Sequence, residues 1–163
     1  MLILNKSAVS DALSHGDCIE VIAEAMKSVS RHDVVMPLRQ WMEVPGTEGK
    51  LALMPGFLGT PRCFGLKIVS KFPRDATSPY GTHVGAIMVF DADEGIPVAL
   101  LDGGELTAIR TSAATALATR ELAREDATTL TMMGCGEQAR HHIKALLHVR
   151  RINQIFVWKL IQI

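Results

Sequence analysis

The stretch from Thr129 to Ala139, TLTMMGCGEQA, decides the fold of this protein. It contains the pattern G-x-G-x-x-A, in which Gly134 and Gly136 are followed by Ala139. In such a pattern the first glycine makes a tight turn and the second lets a pyrophosphate approach the backbone, while the small third residue lets the helix pack closely on the strand. The helix that follows presents free N–H groups to a phosphate. The pattern predicts a dinucleotide-binding turn, and a purely structural glycine turn is the alternative.

The segments around this turn supply the context that the pattern requires. We predict a strand from Thr128 to Met133, a helix from about Glu137 to Val149 and a strand from Ile152 to Trp158. Strand, glycine turn, helix and strand make one βαβ unit, the first unit of a Rossmann domain.

The end of the second strand departs from the usual pattern. An acidic ribose ligand is expected roughly 20 residues after the glycines, but the sequence has Trp158-Lys159-Leu160 there. A lysine favours a 2′-phosphate and hence NADP. The other interpretation is that the last residues are not the native continuation, and the sequence leaves both open.

Before residue 105 the chain has a different pattern of apolar and polar residues. Short apolar or alternating segments separated by Pro, Gly and Asp predict five strands: Arg39–Val44, Lys50–Met54, Phe64–Val69, Val84–Phe90 and Val98–Leu101. The last two are joined by a predicted hairpin turn, Asp91–Gly95, and the short connections favour antiparallel pairing.

Three helices are predicted outside the βαβ unit. They cover Ser7–Leu13, residues 18–31 and residues 105–123. The second has apolar residues at helical spacing, and we expect Asp17 to cap it and Glu20 to reach back in a capping box.

The composition excludes several classes of protein. The 163 residues carry 17 basic and 17 acidic side chains, so no basic field for nucleic acid is expected. The three cysteines lie far apart, which argues against a disulfide framework or a zinc site, and His141-His142 make a poor metal pair. With no signal peptide and no long apolar run, we expect a soluble cytoplasmic protein with no metal and no membrane contact.

Four further residues form a candidate site: Arg39, Lys67, Thr82 and Arg110. Lys67 interrupts an apolar strand, where burial is costly unless the ammonium meets an anion. Arg110 lies near the start of a long helix, where its guanidinium suits a carboxylate. Exposure to solvent is the alternative for both side chains. We interpret His83 as a hydrogen-bonded histidine rather than as an acid or base.

The order of motifs resembles the ornithine cyclodeaminase/mu-crystallin family over about residues 13–158. The matching motifs are Leu53-Met54-Pro55, Gly65-Leu66-Lys67, Gly81-Thr82-His83, Phe90-Asp91, Leu106-Thr107-Ala108-Ile109-Arg110-Thr111 and Gly134-Cys135-Gly136-Glu137-Gln138-Ala139. The stretch around Arg110, with its spacing to the glycine turn, is the most specific of them.

The resemblance implies an α/β protein of two domains. Residues 1–125 would form a substrate-binding and dimerisation domain with mostly antiparallel strands, which the family completes with its C-terminal end. Residues 126–163 would be the first βαβ unit of a Rossmann domain that binds NAD or NADP. Family members are homodimers that transfer a hydride between the cofactor and the α-carbon of an amino or imino acid.

The resemblance also assigns roles to residues. It implies that Arg39, Lys67 and Arg110 bind the substrate carboxylate and that Lys67 assists proton transfer. The positions expected near the cofactor are Thr82, Arg110, Gly134, Gly136, Glu137, Gln138 and Ala139.

Two departures from the family pattern qualify these roles. Ala52 stands where ornithine-using members have a glutamate for the side-chain amine, which favours a smaller or apolar amino acid or a cyclic imine. The expected catalytic aspartate and the later Rossmann strands are missing, so we predict that these 163 residues alone neither bind NAD(P) tightly nor turn over substrate. A non-catalytic small-ligand-binding protein, like some mu-crystallin-like members, is the alternative function.

Overall fold

The computed structural model describes residues 1–75 and 78–159. The chain order of its elements is β1 (Leu2–Leu4), α1 (Lys6–Ala12), α2 (His15–Ser30), β2 (Val34–Val35), β3 (Gln40–Glu43), β4 (Lys50–Leu58), β5 (Cys63–Lys71), β6 (His83–Asp91), β7 (Pro97–Asp102), α3 (Gly103–Leu122), β8 (Thr129–Met133), α4 (Glu137–Leu146) and β9 (Gln154–Trp158). The predicted α/β class is confirmed.

The chain divides into two compact units. Unit 1 comprises Met1–Ala12 and Ala25–Leu106, and unit 2 comprises Leu13–Glu24 and Thr107–Ile163. The predicted domain boundary after residue 125 stays a prediction about the complete protein. No helix in the described ranges is both long enough and apolar enough to cross a membrane.

Unit 1 is built on a seven-stranded sheet. Its strand order is β1-β7-β6-β5-β4-β2, and β3 pairs with the same edge of β4 as β2. The neighbours from β3 to β7 are antiparallel, as predicted from the short connections. The strand β1 was not predicted, and it pairs in parallel with β7. Three residues are too few to give a periodic signal, and β1 becomes a strand by joining a sheet built elsewhere in the chain.

The pairing register assigns side chains to the two faces of this sheet. Lys67 is level with Met54 on one side and Ile87 on the other, and residues directly opposite each other share a face. We call this the lysine face, and the other, which carries Leu66 and Ile68, the apolar face.

The strand β4 runs through Pro55 to Leu58, although the prediction ended it at Met54. A proline has no N–H for a ladder bond, so it is normally confined to positions without a partner. β3 pairs with Lys50–Leu53, and β2 with Phe57 and Leu58. Pro55 therefore lies in the gap between the two partner strands, where the missing N–H costs no pairing.

The turn between β6 and β7 confirms the predicted hairpin. The Asp91 carboxylate accepts hydrogen bonds from the backbone N–H groups of Asp93 and Glu94, at 2.9 and 2.8 Å. Gly95 has φ = +69°, a left-handed conformation that glycine adopts without strain.

The start of α2 corrects a prediction. The helix begins at His15, and Ser14 rather than Asp17 caps it. Ser14 Oγ accepts a hydrogen bond from the Asp17 N–H at 3.0 Å and donates one to the Asp17 carboxylate at 2.6 Å. The capping pair is therefore shifted by one turn of helix, and Glu20 instead forms an ion pair with Arg120.

Unit 2 contains the predicted βαβ unit. β8 and β9 are parallel, with Thr129 level with Gln154 and Met133 level with Trp158. α4 ends at Leu146, three residues before the predicted end, and β9 begins two residues later than predicted. Arg150 follows α4 and donates hydrogen bonds to the carbonyl oxygens of Thr119, Arg120 and Ala123 at the end of α3, at 2.9, 3.1 and 2.7 Å. The Thr119 carbonyl also accepts the Ala123 N–H, at 3.0 Å. Because the last carbonyls of a helix run out of helical donors, Arg150 caps the end of α3.

Candidate functional site

The glycine turn between β8 and α4 has the backbone that the sequence pattern predicts. Gly134 has φ = +123°, which a residue with a side chain rarely adopts. Its N–H donates to the carbonyl of Trp158 at 2.8 Å, which fixes the turn to the end of β9. The first glycine is therefore required by the turn itself.

The second glycine leaves the turn open. A Cβ added at Gly136 would meet nothing within 4 Å, and Gly136 has an ordinary extended backbone with φ = −77° and ψ = −170°. Within residues 1–75 and 78–159 no side chain caps α4, whose N-cap is Gly136. The first N–H groups of this helix are thus available to a phosphate, and the site fits a dinucleotide.

The other predicted cofactor residues lie on the first turn of α4. Glu137 and Gln138 are exposed, and Ala139 is half-buried. The Gln138 carbonyl lies 2.7 Å from Nδ1 of His142, and His141 lies 3.1 Å from His15. His142 Nε2 also lies 3.1 Å from the Thr115 hydroxyl on α3, so both histidines connect α4 to other elements of unit 2.

Lys67 lies on β5, which has a partner strand on each side. Lys67 is half-buried. It is therefore neither fully buried nor fully exposed to solvent. Its neighbours on the same face are the apolar side chains of Met54 and Ile87. An ammonium in such surroundings attracts an anion strongly, because little water screens it.

Arg39 lies beside the paired residues of the lysine face. It immediately precedes β3, where Gln40 is level with Leu53. Continuing this register by one residue places Arg39 level with Met54, and therefore in one row with Lys67. Two strand spacings separate the Cα atoms of Arg39 and Lys67, roughly 10 Å. Both side chains are long enough to reach an anion between them.

Thr82 lies further along the sheet. It precedes β6, and its carbonyl accepts a hydrogen bond from the Phe72 N–H at 3.1 Å. Five residues separate this position from the row of Lys67, roughly 16 Å along the strands. Thr82 is exposed, and its hydroxyl lies 2.9 Å from Nδ1 of His83, as expected for a hydrogen-bonded histidine.

Arg110 belongs to unit 2 and is exposed on α3. Burial raises the pKa of the Cys18 thiol, and the positive charge of Arg110 lowers it by a smaller effect. One turn earlier on α3, the buried Thr107 Oγ1 has no hydrogen-bond partner among the described residues.

One residue on the lysine face was missed at the sequence level. Trp41 is level with Ala52, one row from Lys67, and 49% of its surface is exposed although it is the largest kind of side chain. The alternation of Arg39, Trp41 and Glu43 on a predicted strand was the available signal, because it places Trp41 on the same face as Arg39.

Comparisons with known proteins agree with this geometry. Residues 1–162 match the ornithine cyclodeaminase/mu-crystallin family. A Delta(1)-pyrroline-2-carboxylate reductase of Bacillus cereus is 32% identical over 158 residues, which are 97% of this chain and 49% of the relative.

Two solved structures have the same fold. One is the Thermococcus litoralis Delta(1)-pyrroline-2-carboxylate reductase in complex with NADH and L-proline, with a TM-score of 0.91 and 32% identity over 96% of this chain and 49% of that one. The other is an archaeal alanine dehydrogenase dimer with bound NAD, with a TM-score of 0.88 and 27% identity over 96% of this chain and 48% of that one. The chain spans about half the length of the relatives it matches, and it belongs to the ornithine cyclodeaminase/mu-crystallin family.

Proposed function

We propose that this chain is part of an NAD(P)-dependent oxidoreductase acting at the α-carbon of an amino acid or a cyclic imino acid. The observation that carries the proposal is the glycine turn, whose second glycine opens onto free space at an uncapped helix N-terminus. A nicotinamide dinucleotide bound there supplies or accepts the hydride.

The substrate carboxylate is assigned to the lysine face. Lys67 is half-buried and level with Met54 and Ile87, and Arg39 immediately precedes β3 beside this row. The family pattern assigns a substrate carboxylate to Arg110 of unit 2 as well. A carboxylate held by two or three cations fixes the α-carbon, and a fixed position lowers the entropic part of the barrier. A Lys67 ammonium in this apolar row is also suited to exchange a proton with the substrate nitrogen.

A cyclic imine such as a pyrroline carboxylate, or an amino acid with a small apolar side chain, fits this face best. Ala52 has no exposed surface and offers no charge to a side-chain amine. The similar reductases from Bacillus cereus and Thermococcus litoralis carry pyrroline-2-carboxylate in their names.

The complete protein is proposed to be a homodimer that pairs through the apolar face. Along the strands this face carries Leu53, Leu66, Ile68, Met88 and Phe90. Phe64 stacks on Phe90 with 4.9 Å between ring centroids and is 36% exposed, and Val84 is 40% exposed. A continuous apolar sheet face of this kind is typical of a surface that another protein covers.

The glycine turn gives the sharpest test. Cys135 is exposed inside the turn, whereas Cys18 is buried and Cys63 is half-buried, so a thiol reagent should label Cys135 first. We expect millimolar NADH or NADPH to slow the labelling of Cys135 and leave the other two cysteines unaffected. Preferential protection by NADPH would indicate that Lys159, which is exposed after β9, receives a 2′-phosphate.

Gly136→Val is the matched variant. The added side chain meets no protein atom within 4 Å at its Cβ, so the fold should be retained. It occupies the space that a pyrophosphate needs, and we expect the protection of Cys135 to weaken on the order of a hundredfold, as an excluded contact of about 2.7 kcal/mol would give. If neither dinucleotide changes the rate at Cys135 in the wild-type chain, the proposal is wrong.

A further inference from the structure

Trp41 occupies an unusual position for a large aromatic residue. It lies on the edge strand β3, all of whose residues are exposed. Its indole is 49% exposed, on the same face of the sheet as Lys67. An exposed indole with no covering element is costly unless a ligand or partner covers it.

The row that contains Trp41 is apolar from end to end. Trp41 is level with Ala52, Ala52 with Val69 and Val69 with Gly85. Ala52 has no exposed surface, so Trp41 and the half-buried Val69 provide the surface that a ligand meets in this row. The row of Lys67 is the next one along the strands.

The dimensions suit a small ring. The Cα atoms of Trp41 and Lys67 are two strands and one row apart, roughly 12 Å. A separation of this size between two long side chains on one face leaves room for one compact molecule. A ligand whose carboxylate is held by Lys67 would therefore extend its side chain or ring toward the indole.

The charges on this face select against a diamine. The nearest carboxylate in the following row is that of Glu43, and it is already paired with the Lys50 ammonium at 2.8 Å. A positively charged side chain extending past Lys67 would lie on apolar groups, which do not compensate the loss of its hydration.

We propose that Trp41 is a specificity-determining residue that packs against the apolar ring of a cyclic amino or imino acid. This inference rests on the proposed function, because it assumes that Lys67 holds the substrate carboxylate. The indole contributes a flat apolar surface to a ring and excludes a charged side chain from it.

The test uses the chain's two tryptophans, Trp41 and Trp158. In a Trp158→Phe background the fluorescence reports on Trp41 alone. We expect L-proline and pyrrole-2-carboxylate to change the emission of Trp41 at millimolar concentration, and L-ornithine to change it little. Trp158 is 54% exposed on β9, so Trp158→Phe is a matched control that should leave ligand affinity unchanged.

Affinities of the variants, measured by ligand-observed NMR, separate the possible outcomes. Trp41→Ala should weaken L-proline binding about fivefold, since a lost aromatic contact of this kind is worth about 1 kcal/mol. Glycine has a carboxylate but no side chain, so it should bind equally well to the Trp41→Ala variant and to the protein with Trp41. The Trp41→Phe variant should retain most of the affinity for proline.

Two results would overturn the inference while leaving the proposed function intact: unchanged proline affinity in Trp41→Ala, or an equal loss of affinity for glycine and proline. If the wild-type chain binds none of these ligands, the proposed substrate class fails and the role of Trp41 fails with it. A Lys67→Met variant distinguishes these cases, because it should weaken proline and glycine alike.

Discussion

The two sheets of this protein differ in how far each is completed by its own chain. In unit 1, β5 pairs along its whole length with β4 and β6, and most side chains of these strands are at least half-buried. In unit 2, β9 pairs with β8 alone among the residues that the structure describes, and all five residues of β9 are exposed. An antiparallel meander makes its own neighbours through short turns, whereas a parallel pair needs a crossover helix and further elements to cover both faces. The difference teaches that the connections between strands decide how many strand partners and covering elements a sheet must obtain from the rest of the protein.

This contrast has an energetic consequence. Unit 1 is stabilised by many small contributions from a large sheet. Unit 2 has a small sheet, but it holds buried side chains such as Ile19, Ile109 and Leu146, together with the hydrogen bonds of Arg150. Single substitutions should therefore have larger effects in unit 2 than comparable ones in unit 1.

The largest expected effect is at Arg150. Its guanidinium also donates to the carbonyls of Arg124 and Val149, at 3.0 and 2.7 Å, in addition to those that end α3. Arg150→Ala leaves several carbonyls without a donor and should lower the free energy of unfolding of unit 2 by about 3 kcal/mol. Urea denaturation followed by far-UV circular dichroism measures it.

Arg62→Ala is the control in unit 1. Arg62 pairs with Asp93 at 3.1 Å, and both side chains are exposed, so its loss should cost less than about 0.5 kcal/mol. Equal effects of Arg62→Ala and Arg150→Ala would contradict the contrast between the two units.

The next prediction concerns the apolar face of the large sheet. Val84 lies on this face and is 40% exposed. Val84→Asp places a carboxylate in the proposed dimer interface and should weaken self-association at least tenfold, or about 1.4 kcal/mol, measured by sedimentation equilibrium.

Val21→Asp is the control for this prediction, because Val21 is 61% exposed on α2 and belongs to unit 2, which does not contain the large sheet. We expect it to leave self-association unchanged. If the wild-type chain remains monomeric at high concentration, the apolar face of these 163 residues is not sufficient for dimerisation.

The smallest expected effect depends on pH. Burial raises the pKa of the Cys18 thiol, with the charge of Arg110 opposing it more weakly. A raised pKa means that the folded protein holds the neutral thiol, so this contribution to stability is complete below the ordinary thiol pKa of about 8.5. It is lost as the pH rises through the folded value, with a slope of at most about 1.4 kcal/mol per pH unit.

Cys18→Ala should flatten this alkaline decline in the free energy of unfolding. Cys63→Ala, in unit 1, serves as the control and should leave the decline as it is in the wild type. A decline of unchanged slope in Cys18→Ala would assign the alkaline loss to other groups.

Local patterns predicted most elements but not all of their ends. The alternation around Lys67 and the helical spacing after Asp17 predicted a strand and a helix, and both exist. The predicted cap of α2 was wrong. The pair Ser14 and Asp17 satisfies the capping pattern, one turn before the predicted pair, Asp17 and Glu20. The predicted end of β4 was also wrong, because it assumed that Pro55 ends the strand. A proline ends a strand only where a partner strand lies opposite it, and no local pattern contains that information.

The candidate site divides in the same way. The residues of the glycine turn are close in sequence, so their spacing alone predicted the backbone of the turn. Arg39 and Lys67 were predicted from residue type and family pattern, but their common row depends on the register of β3, β4 and β5. Trp41 gained a role only when that register placed it on the lysine face.

The sequence by itself determined the α/β class, the βαβ unit and the family, because these depend on periodicity, turn chemistry and motif spacing within short stretches. Only the tertiary structure decided that β1 joins β7, that β3 and β2 share one edge of β4, and that Lys67 and Trp41 lie on one face. The physical reason is that pairing register is fixed by contacts between distant segments, and a shift of one residue would move every side chain to the opposite face.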